Sequence, residues 1–307
     1  MNIVFVGSPQ ISANILEKLY KAGFSIPLVI SQPDKRKKRG KSVDLSEVST
    51  VALNLGLNTL KPLDLNDSAF RQEVESIDID FLVVSAYGKI LPAWMLKVPN
   101  KMSINIHYSL LPKYRGASPI QTSLINGDSK TGISFIKMNE KMDEGDLIKK
   151  LVLDIKETDD KITLENKLSN LAANNIGDIL KSINENSFNL KKQNHEDASY
   201  CIKINKSDGK VDFNDSSNNI INKFKAYKGW PDSYFLYKDT VIKIHEMHEL
   251  KDAESGISGE IINFDSNGIV VKTSDTAIVI THLQFPNKKI ISAQDANNSY
   301  SDFFLKS

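Results

Sequence analysis

The chain opens with Met1-Asn2-Ile3-Val4-Phe5-Val6-Gly7-Ser8-Pro9, and this stretch decides the fold. The four consecutive apolar residues 3–6 are typical of a strand that is covered on both faces, and the glycine and proline that follow end it. Apolar residues recur with helical spacing over 11–22, and a second apolar strand is predicted over 27–31. A strand, a helix and a second strand in this order predict an α/β fold with a mostly parallel sheet.

Two further apolar runs, Phe81 to Ser85 and Ile104 to Ile106, extend the predicted sheet. Ligands of such sheets bind beyond the carboxyl ends of the strands. Gly7, Tyr87 and His107 all fall at those ends. The sequence therefore predicts a binding site at this edge of the sheet.

Two later helices are predicted to complete the first domain. Ser118 is a suitable N-cap and Pro119 a suitable first helical residue, so one helix is predicted from there to Ile125. The other is predicted between Leu164 and Ile183, where apolar residues keep a helical spacing. We therefore predict a first domain over 1–189 and a polar linker over 190–204.

Beyond the linker the pattern changes to short strands separated by turn residues. The predicted strands are Tyr234 to Tyr237, Val241 to His245, Gly259 to Asn263, Ile269 to Thr273 and Ala277 to Thr281. This spacing predicts a small β-barrel as a second domain over 205–307.

The composition excludes several classes of protein. A length of 307 residues suggests two domains at about 150 residues each. The 39 basic and 38 acidic side chains nearly cancel, so any attraction to RNA has to be local. Cys201 is the only cysteine, which excludes an internal disulfide and a cysteine-based zinc site. No signal peptide or long apolar segment is evident, so we expect a cytoplasmic protein with no membrane partner.

Polar side chains with catalytic potential follow the strand that ends near residue 106. Asn105 and His107 lie two residues apart and should face the same way, because strand side chains alternate with period two. A loop with three acids, Asp143, Glu144 and Asp146, can add a carboxylate, although spacing alone does not select one of them. An amide and an imidazolium can stabilise an oxyanion while a carboxylate assists proton transfer, which suits acyl transfer without a covalent intermediate. These residues lack the further ligands that a metal ion would require.

A series of short motifs along the chain carries a family resemblance. In order they are Ser31-Gln32-Pro33-Asp34, Ala86-Tyr87-Gly88, Asn105-Ile106-His107, Ser109-Leu110-Leu111-Pro112, Arg115-Gly116, Asp143-Glu144-Gly145-Asp146, Gly229-Trp230-Pro231 and Ser292-Ala293-Gln294-Asp295. Each motif alone is weak evidence, but their order and their coverage of almost the whole chain are specific. The chain thus resembles the folate-dependent formyltransferases.

This resemblance implies a fold and an activity. The expected fold is a Rossmann-like formyltransferase domain followed by an open, oligonucleotide-binding-like barrel that binds tRNA. The implied reaction moves the formyl group of 10-formyltetrahydrofolate to the α-amino group of methionyl initiator tRNA for translation initiation. The family pattern aligns Asp143 with the catalytic aspartate, beside Asn105 and His107. We expect a monomer that needs no metal.

The resemblance also implies which residues contact the folate. They are Ser109, Leu110, Leu111 and Pro112, together with Tyr87, Gly88, Ile90 and Leu91. The chain departs from the family at Tyr108, where small residues are usual. A tyrosine there either points into the other layer of the sheet or narrows the site.

A cationic run, Lys35 to Lys41, follows the second strand. A charge run of this kind is most often a solvated surface. The family resemblance instead implies contact with the acceptor end of tRNA, in which Arg39 is the main residue and Arg36, Lys38 and Lys41 contribute. The residues after this run lack the family's proline-containing continuation, which leaves the shape of the loop open.

Three other functions compete with this interpretation. The formyl acceptor could be a sugar nucleotide or a purine precursor, because the same catalytic residues occur across the superfamily. The cationic run and the second domain both favour tRNA; the purine enzyme normally lacks such a second domain, whereas some sugar formyltransferases have a similar one. A folate-binding or RNA-binding module without turnover would not need Asn105, His107 and Asp143 together.

Overall fold

The computed structural model describes residues 1–36, 43–252 and 256–305. The first part of the chain comprises β1 (Asn2–Gly7), α1 (Gln10–Lys21), β2 (Ser25–Ile30), β3 (Lys35–Arg36), β4 (Val43–Asp44), α2 (Glu47–Asn54), β5 (Thr59–Leu60), α3 (Ser68–Glu75), β6 (Phe81–Ser85), α4 (Ala93–Lys97), β7 (Met102–His107), β8 (Arg115–Gly116), α5 (Pro119–Ile125), β9 (Lys130–Lys137), β10 (Leu147–Asp154), α6 (Lys161–Asn184) and β11 (Tyr200–Cys201). The second part comprises α7 (Ser217–Tyr227), β12 (Ser233–Tyr237), β13 (Thr240–Leu250), β14 (Ile261–Phe264), β15 (Ile269–Lys272), β16 (Ala277–Gln284), β17 (Ile290–Ser292) and α8 (Ala293–Leu305).

The described residues form two compact units. The first consists of Met1–Pro119, Lys130–Ile155 and Thr163–Ile202. The second consists of Ile120–Ser129, Lys156–Ile162 and Lys203–Ser307. Two short segments from earlier in the chain therefore belong to the second unit. The predicted domains are consecutive ranges, so they place both segments in the first domain.

The first unit is built on a sheet with the strand order β10-β9-β7-β6-β1-β2-β5. The strands β7, β6, β1, β2 and β5 are parallel, as predicted, whereas β9 runs antiparallel to β7 and β10 antiparallel to β9. Val4 and Val6 pack with side chains of α3 and α4, while Ile3 and Phe5 point to the opposite face and are fully buried. Burial on both faces explains why β1 is a continuous apolar run.

The second unit contains an antiparallel sheet with the order β12-β13-β16-β15-β14, and β17 also pairs with β16. All five predicted strands are present, which confirms the predicted small, open β-barrel. Lys238 and Asp239 connect β12 to β13 and both have positive φ, 44° and 59°. A two-residue turn with this geometry matches the twist of the strands that it joins.

Several elements are absent from the sequence-based prediction. The helix α7 carries three asparagines, and its weak helix propensity hid it. It is stabilised by the Ser216 side chain, which accepts a hydrogen bond from the backbone of Asn219, and by burial of Ile220. The helix α8 and the strands β9 and β10 were also missed. The helix predicted from Pro119 to Ile125 is confirmed as α5.

The stretch predicted as a linker pairs with the first unit. Leu147 and Lys191 form an antiparallel bridge, with N–O distances of 2.8 and 2.9 Å in the two directions. The strand β11 pairs in parallel with β8, so that Tyr200 lies opposite Arg115 and Cys201 opposite Gly116. Backbone hydrogen bonds therefore hold Lys191 against the start of β10 and residues 199–201 against the segment that follows β7.

Candidate active site

The structure brings Asn105, His107 and Asp143 together. The Asn105 amide donates a hydrogen bond to Asp143 Oδ1 at 3.2 Å. His107 Nδ1 lies 3.5 Å from the same oxygen. His107 is buried and Asp143 nearly so, with 6% and 11% of their side chains exposed. Little solvent surrounds the two side chains, so the electrostatic interaction between them is weakly screened.

One strand and one loop account for this arrangement. Asn105 and His107 lie two residues apart on β7 and face one side of the sheet, whereas Asp143 lies in the loop between β9 and β10. The backbone N–H of Gly116 donates to Asp143 Oδ2 at 2.9 Å, which fixes the second oxygen of the carboxylate. His107 Nε2 lies 2.9 Å from the carbonyl oxygen of Tyr114. Because a carbonyl only accepts, Nε2 carries a hydrogen and Nδ1 faces the carboxylate.

A cavity of about 480 Å³ opens beside these residues. Its size is in the usual range for a small-molecule site, and its wall is mostly apolar with a few polar groups. Apolar lining residues are Val84, Tyr87, Ile90, Leu91, Leu96, Ile106, Pro119, Ile136, Met138 and Met142, and the polar ones include Asn105, His107 and Asp143. Val84 pairs in register with Asn105, so the cavity lies on the face of the sheet that α3 and α4 cover.

The residues predicted to contact folate fall into two groups. Tyr87, Gly88, Ile90 and Leu91 line the cavity, whereas Ser109 to Pro112 are not among its described lining residues. Leu111 is fully buried and packs with Ile136 and Leu147. The Ser109 hydroxyl donates to the carbonyl of Lys113. The Leu111 N–H donates to Ser134 Oγ, which in turn donates to the Ser109 carbonyl, so this second group is bonded to β9.

The wall around residues 86–88 depends on a close backbone contact. Gln32 Nε2 donates to the carbonyl oxygen of Tyr87, and Gly88 has a φ of +79°. A Cβ atom at Gly88 would lie 2.8 Å from Gln32 Nε2, so a side chain there would displace the glutamine. Burial raises the pKa of Tyr87 to about 12, which keeps its phenol neutral at neutral pH.

Tyr108, where the sequence departs from the family, points away from the catalytic residues. Its hydroxyl lies 2.6 Å from Ser85 Oγ, and Ser12 Oγ donates to that same oxygen at 3.0 Å. Ser12 belongs to α1, which covers the other face of the sheet from the cavity. Burial raises the pKa of Tyr108, so the phenol is neutral. Of the two orientations left open by the sequence, the structure therefore has the one directed into the other layer.

The three acids of the loop have different surroundings. Asp143 faces Asn105 and His107, whereas Glu144 lies 3.5 Å from Arg115 and 3.7 Å from Lys141. Asp146 accepts a hydrogen bond through its backbone carbonyl from the N–H of Lys137. A Cβ at Gly145 would lie 1.9 Å from the Lys137 carbonyl oxygen, so this close approach requires glycine.

Sequence reasoning missed the residues that hold this loop. Gln193 donates hydrogen bonds to the carbonyl oxygens of Asp143 and Gly145, and it accepts two from Arg115. Arg115 belongs to one of the motifs, but the sequence indicated no role for its side chain. In the structure this side chain is only 1% exposed. Gln193 lies in the predicted linker, where a single polar residue among many gave no signal.

The predicted tRNA-contacting residues are only partly covered. Lys38, Arg39 and Lys41 lie outside the described residues. Arg36 belongs to β3, whose backbone pairs with β4. Immediately before this run, Asp34 forms an ion pair with Lys61 at 2.8 Å.

Neither a metal centre nor a membrane segment is found in residues 1–36, 43–252 and 256–305. No three His, Cys, Asp or Glu side chains of these ranges converge as they would around a metal ion. None of the helices there has the length and apolar character needed to cross a bilayer.

Comparison with known proteins identifies the class to which this fold and site belong. Residues 1–180 match the family described as "Formyl transferase", and residues 203–301 match "Formyl transferase, C-terminal domain". The molecule is therefore a formyl group transferase.

Full-length relatives narrow this class further. The methionyl-tRNA formyltransferase of Clostridioides difficile is 37% identical over 289 residues, with 94% of each chain covered. The one of Caldicellulosiruptor saccharolyticus is 39% identical, with 98% of this chain and 97% of the relative covered. The one of Clostridium acetobutylicum is 39% identical over the whole of both chains. The chain belongs to the methionyl-tRNA formyltransferase family, which confirms the family and the enzyme class predicted from its motifs.

Solved structures share the fold at low sequence identity. WlaRD, a sugar 3N-formyl transferase solved in the presence of dTDP and 5-N-formyl-THF, superposes with a TM-score of 0.67 at 20% identity, with 94% of this chain and 99% of that one covered. HypX from Aquifex aeolicus, solved with tetrahydrofolic acid, has a TM-score of 0.68 at 12% identity, and this chain spans 47% of its length. These likenesses support the predicted two-part fold.

Proposed function

We propose that this protein transfers the formyl group of 10-formyltetrahydrofolate to the α-amino group of methionyl initiator tRNA, with Asn105, His107 and Asp143 as its catalytic residues. The observation that carries the proposal is the Asp143 carboxylate held between the Asn105 amide and the His107 imidazole at the wall of the cavity. The family membership supports the reaction class, and the geometry of the three side chains supports the proposed roles.

The oxyanion of the tetrahedral intermediate is stabilised by two donors. When the amine attacks the formyl carbon, negative charge develops on the formyl oxygen. Asn105 donates an amide N–H to this oxygen, and the Nδ1–H of protonated His107, which lies 3.5 Å from Asp143 Oδ1, is shared between that carboxylate oxygen and the formyl oxygen. Both side chains are already oriented by Asp143 before substrate binds, so little reorganisation is needed.

Asp143 has a second role, which is to assist proton transfer. The attacking amine has to lose a proton, and the departing folate nitrogen has to gain one. A carboxylate within reach of both can move a proton between them through water. The Gly116 N–H holds one oxygen of Asp143, which leaves the other directed toward Asn105 and His107. The amine loses one proton and the folate nitrogen gains one, so the transfer needs no covalent enzyme intermediate.

The apolar wall of the cavity fits the folate co-substrate. Tyr87, Gly88, Ile90 and Leu91 present apolar surface and backbone groups beside the catalytic residues, which suits a flat ring with polar edges. We propose these four as folate contacts. Ser109, Leu110, Leu111 and Pro112 are proposed to act on the folate site indirectly, by supporting the end of β7.

The tRNA is proposed to bind through the cationic run and the second domain, taken as 205–307 after a first domain of 1–189 and a linker of 190–204. Arg36, Lys38, Arg39 and Lys41 supply positive charge for phosphates of the acceptor end. The proposed form is a monomer, and the proposed compartment is the cytoplasm, where initiator tRNA is used.

A substrate comparison tests the proposed reaction. The purified protein is given 10-formyltetrahydrofolate with methionyl initiator tRNA, methionyl elongator tRNA or a dTDP-linked amino sugar, and formylation of each acceptor is measured. We expect strong preference for the initiator tRNA. Equal or faster formylation of the amino sugar would refute the proposed acceptor and retain the catalytic centre.

The Arg39→Ala variant tests the proposed tRNA contact. Loss of a phosphate contact should raise KM for initiator tRNA and reduce the salt dependence of tRNA binding by about one unit of slope, while folate affinity stays the same. Unchanged tRNA kinetics and an unchanged slope would mean that the cationic run is only a solvated surface.

A further inference from the structure

We propose that Gln193 is a positioning residue, which places the Asp143 carboxylate for catalysis by holding the backbone of its loop. The inference rests on the proposed catalytic role of Asp143 and adds a residue from outside the family motifs. Gln193 acts on the loop, because its side-chain amide donates to the backbone carbonyls of Asp143 and Gly145.

The loop has a backbone that needs support. Asp143 has a φ of +56°, in the left-handed region that residues with a side chain rarely adopt. Such a conformation persists only where surrounding contacts fix it. The carbonyl oxygens on either side of Glu144 are held by one group, because Gln193 Nε2 donates to Asp143 O at 2.8 Å and to Gly145 O at 2.7 Å.

The orientation of the Gln193 amide is itself fixed. Its Oε1 accepts hydrogen bonds from Arg115 Nη2 at 2.8 Å and from Arg115 Nε at 3.2 Å. A guanidinium only donates and a carbonyl only accepts, so a flipped amide would oppose both sets of partners. Gln193 is 5% exposed and Arg115 is 1% exposed, so water cannot easily replace these bonds.

Arg115 links Gln193 to the residues that hold the Asp143 carboxylate. It also lies 3.5 Å from Glu144, the residue after Asp143, and it directly precedes Gly116, whose N–H binds Asp143 Oδ2. The backbone of Asp143 is therefore held through Gln193, and its carboxylate through Gly116. A shift of either support would change the distance from Asp143 to His107, and a misplacement of about 1 Å can cost on the order of 100-fold in rate.

The Gln193→Glu variant separates the two halves of the amide. A glutamate keeps the size and the acceptor oxygen for Arg115, but it places an oxygen instead of an N–H against the two carbonyls. We expect kcat to fall by roughly 10- to 100-fold, as for other residues that orient a catalytic group. KM for tRNA and the Kd for folate should remain within about twofold. Tyr200→Phe is the matched control, because it removes a 3.3 Å contact to Arg115 without touching the loop, and its kcat should not change.

A double-mutant cycle shows whether Gln193 acts through Asp143. In single-turnover assays, Gln193→Glu should lower the rate of the wild-type protein but change that of Asp143→Asn by no more than about twofold, because residues that act as a unit are not additive. Thermal unfolding confirms that each variant is folded. If Gln193→Glu does not fold, Gln193→Met removes the same donors without adding a charge and carries the same test.

Three results would overturn the inference. They are a folded Gln193 variant with nearly normal kcat, an equal loss of rate in the Asp143→Asn background, and a loss of folate affinity that parallels the loss of rate. Near-normal turnover of Asp143→Asn alone would instead overturn the proposed role of Asp143, and the positioning role of Gln193 with it.

Discussion

Two segments meet at the candidate active site, and they differ in how they contribute. The segment 105–116 carries Asn105 and His107 on a central strand and follows a recognisable pattern. The segment 191–201 has no such pattern, yet its backbone pairs with the first segment and its side chains hold the Asp143 loop. We propose that the first segment supplies two of the three catalytic side chains, and that the second segment fixes the position of the third, Asp143.

Replacing Asp143 should give the largest loss of kcat among the variants. Asp143→Asn keeps the shape of the side chain but removes its charge and its capacity to accept a proton. We expect kcat to fall by roughly 10²- to 10⁴-fold with folate affinity nearly unchanged. Steady-state kinetics and direct folate binding are the measurements.

The neighbouring acids provide matched controls for that variant. Glu144→Gln should cost far less, because Glu144 faces Arg115 and Lys141 instead of the catalytic residues. Asp146→Asn should also be mild, because Asp146 contributes its backbone carbonyl. A loss with either control as large as that of Asp143→Asn would remove the basis for selecting Asp143.

Removing the oxyanion donor should rank second. Asn105→Ala is expected to lower kcat by roughly 10²- to 10³-fold, because one hydrogen bond to the developing charge is lost. Asn139→Ala is the control, since Asn139 lines the same cavity but lies outside the catalytic group. Comparable kcat values for the two variants would exclude Asn105 from the mechanism.

The sequence predicted the first segment better than the second, for a physical reason. The alternation of side chains along a strand is a local property, so Asn105 and His107 could be placed on one face from their spacing. The choice of Asp143 over Glu144 came from family resemblance, because spacing could not make it. Its surroundings depend on contacts with Gly116 and Gln193, which lie 27 and 50 positions away in the chain.

The same limit explains the folate residues and the missed elements. The segment Ser109 to Pro112 follows directly on β7, and its sequence does not reveal that Leu111 turns into a core with Ile136 and Leu147. In the second unit, the strands were found from their alternation and turns. The helix α7 was missed because its polar residues have weak helix propensity. Capping and burial stabilise it in the structure.

Arg115→Lys should affect stability on the supporting side of the comparison. A lysine lacks the planar fork that donates to Gln193, so buried partners would lose hydrogen bonds. We expect the free energy of unfolding to fall by about 1–3 kcal/mol, measured in urea. The control is Arg71→Lys, because Arg71 is 51% exposed and pairs with Glu75 on the surface, where about 0–1 kcal/mol is expected. Equal losses would mean that the buried contacts of Arg115 add nothing to stability.

The smallest effect is expected at Tyr108, which is adjacent in sequence to His107 but lies on the other face of the sheet. Tyr108→Phe keeps the buried ring and removes the hydroxyl that contacts Ser85. The free energy of unfolding should fall by about 0.5–1.5 kcal/mol while kcat stays the same. Tyr237→Phe in the second unit is a matched control, because the partly buried hydroxyl of Tyr237 donates to the Phe304 carbonyl at 2.7 Å. A tenfold loss of kcat in Tyr108→Phe with no loss of stability would show that this phenol acts in the catalytic site. The residue next to His107 would then be catalytic and not merely supporting.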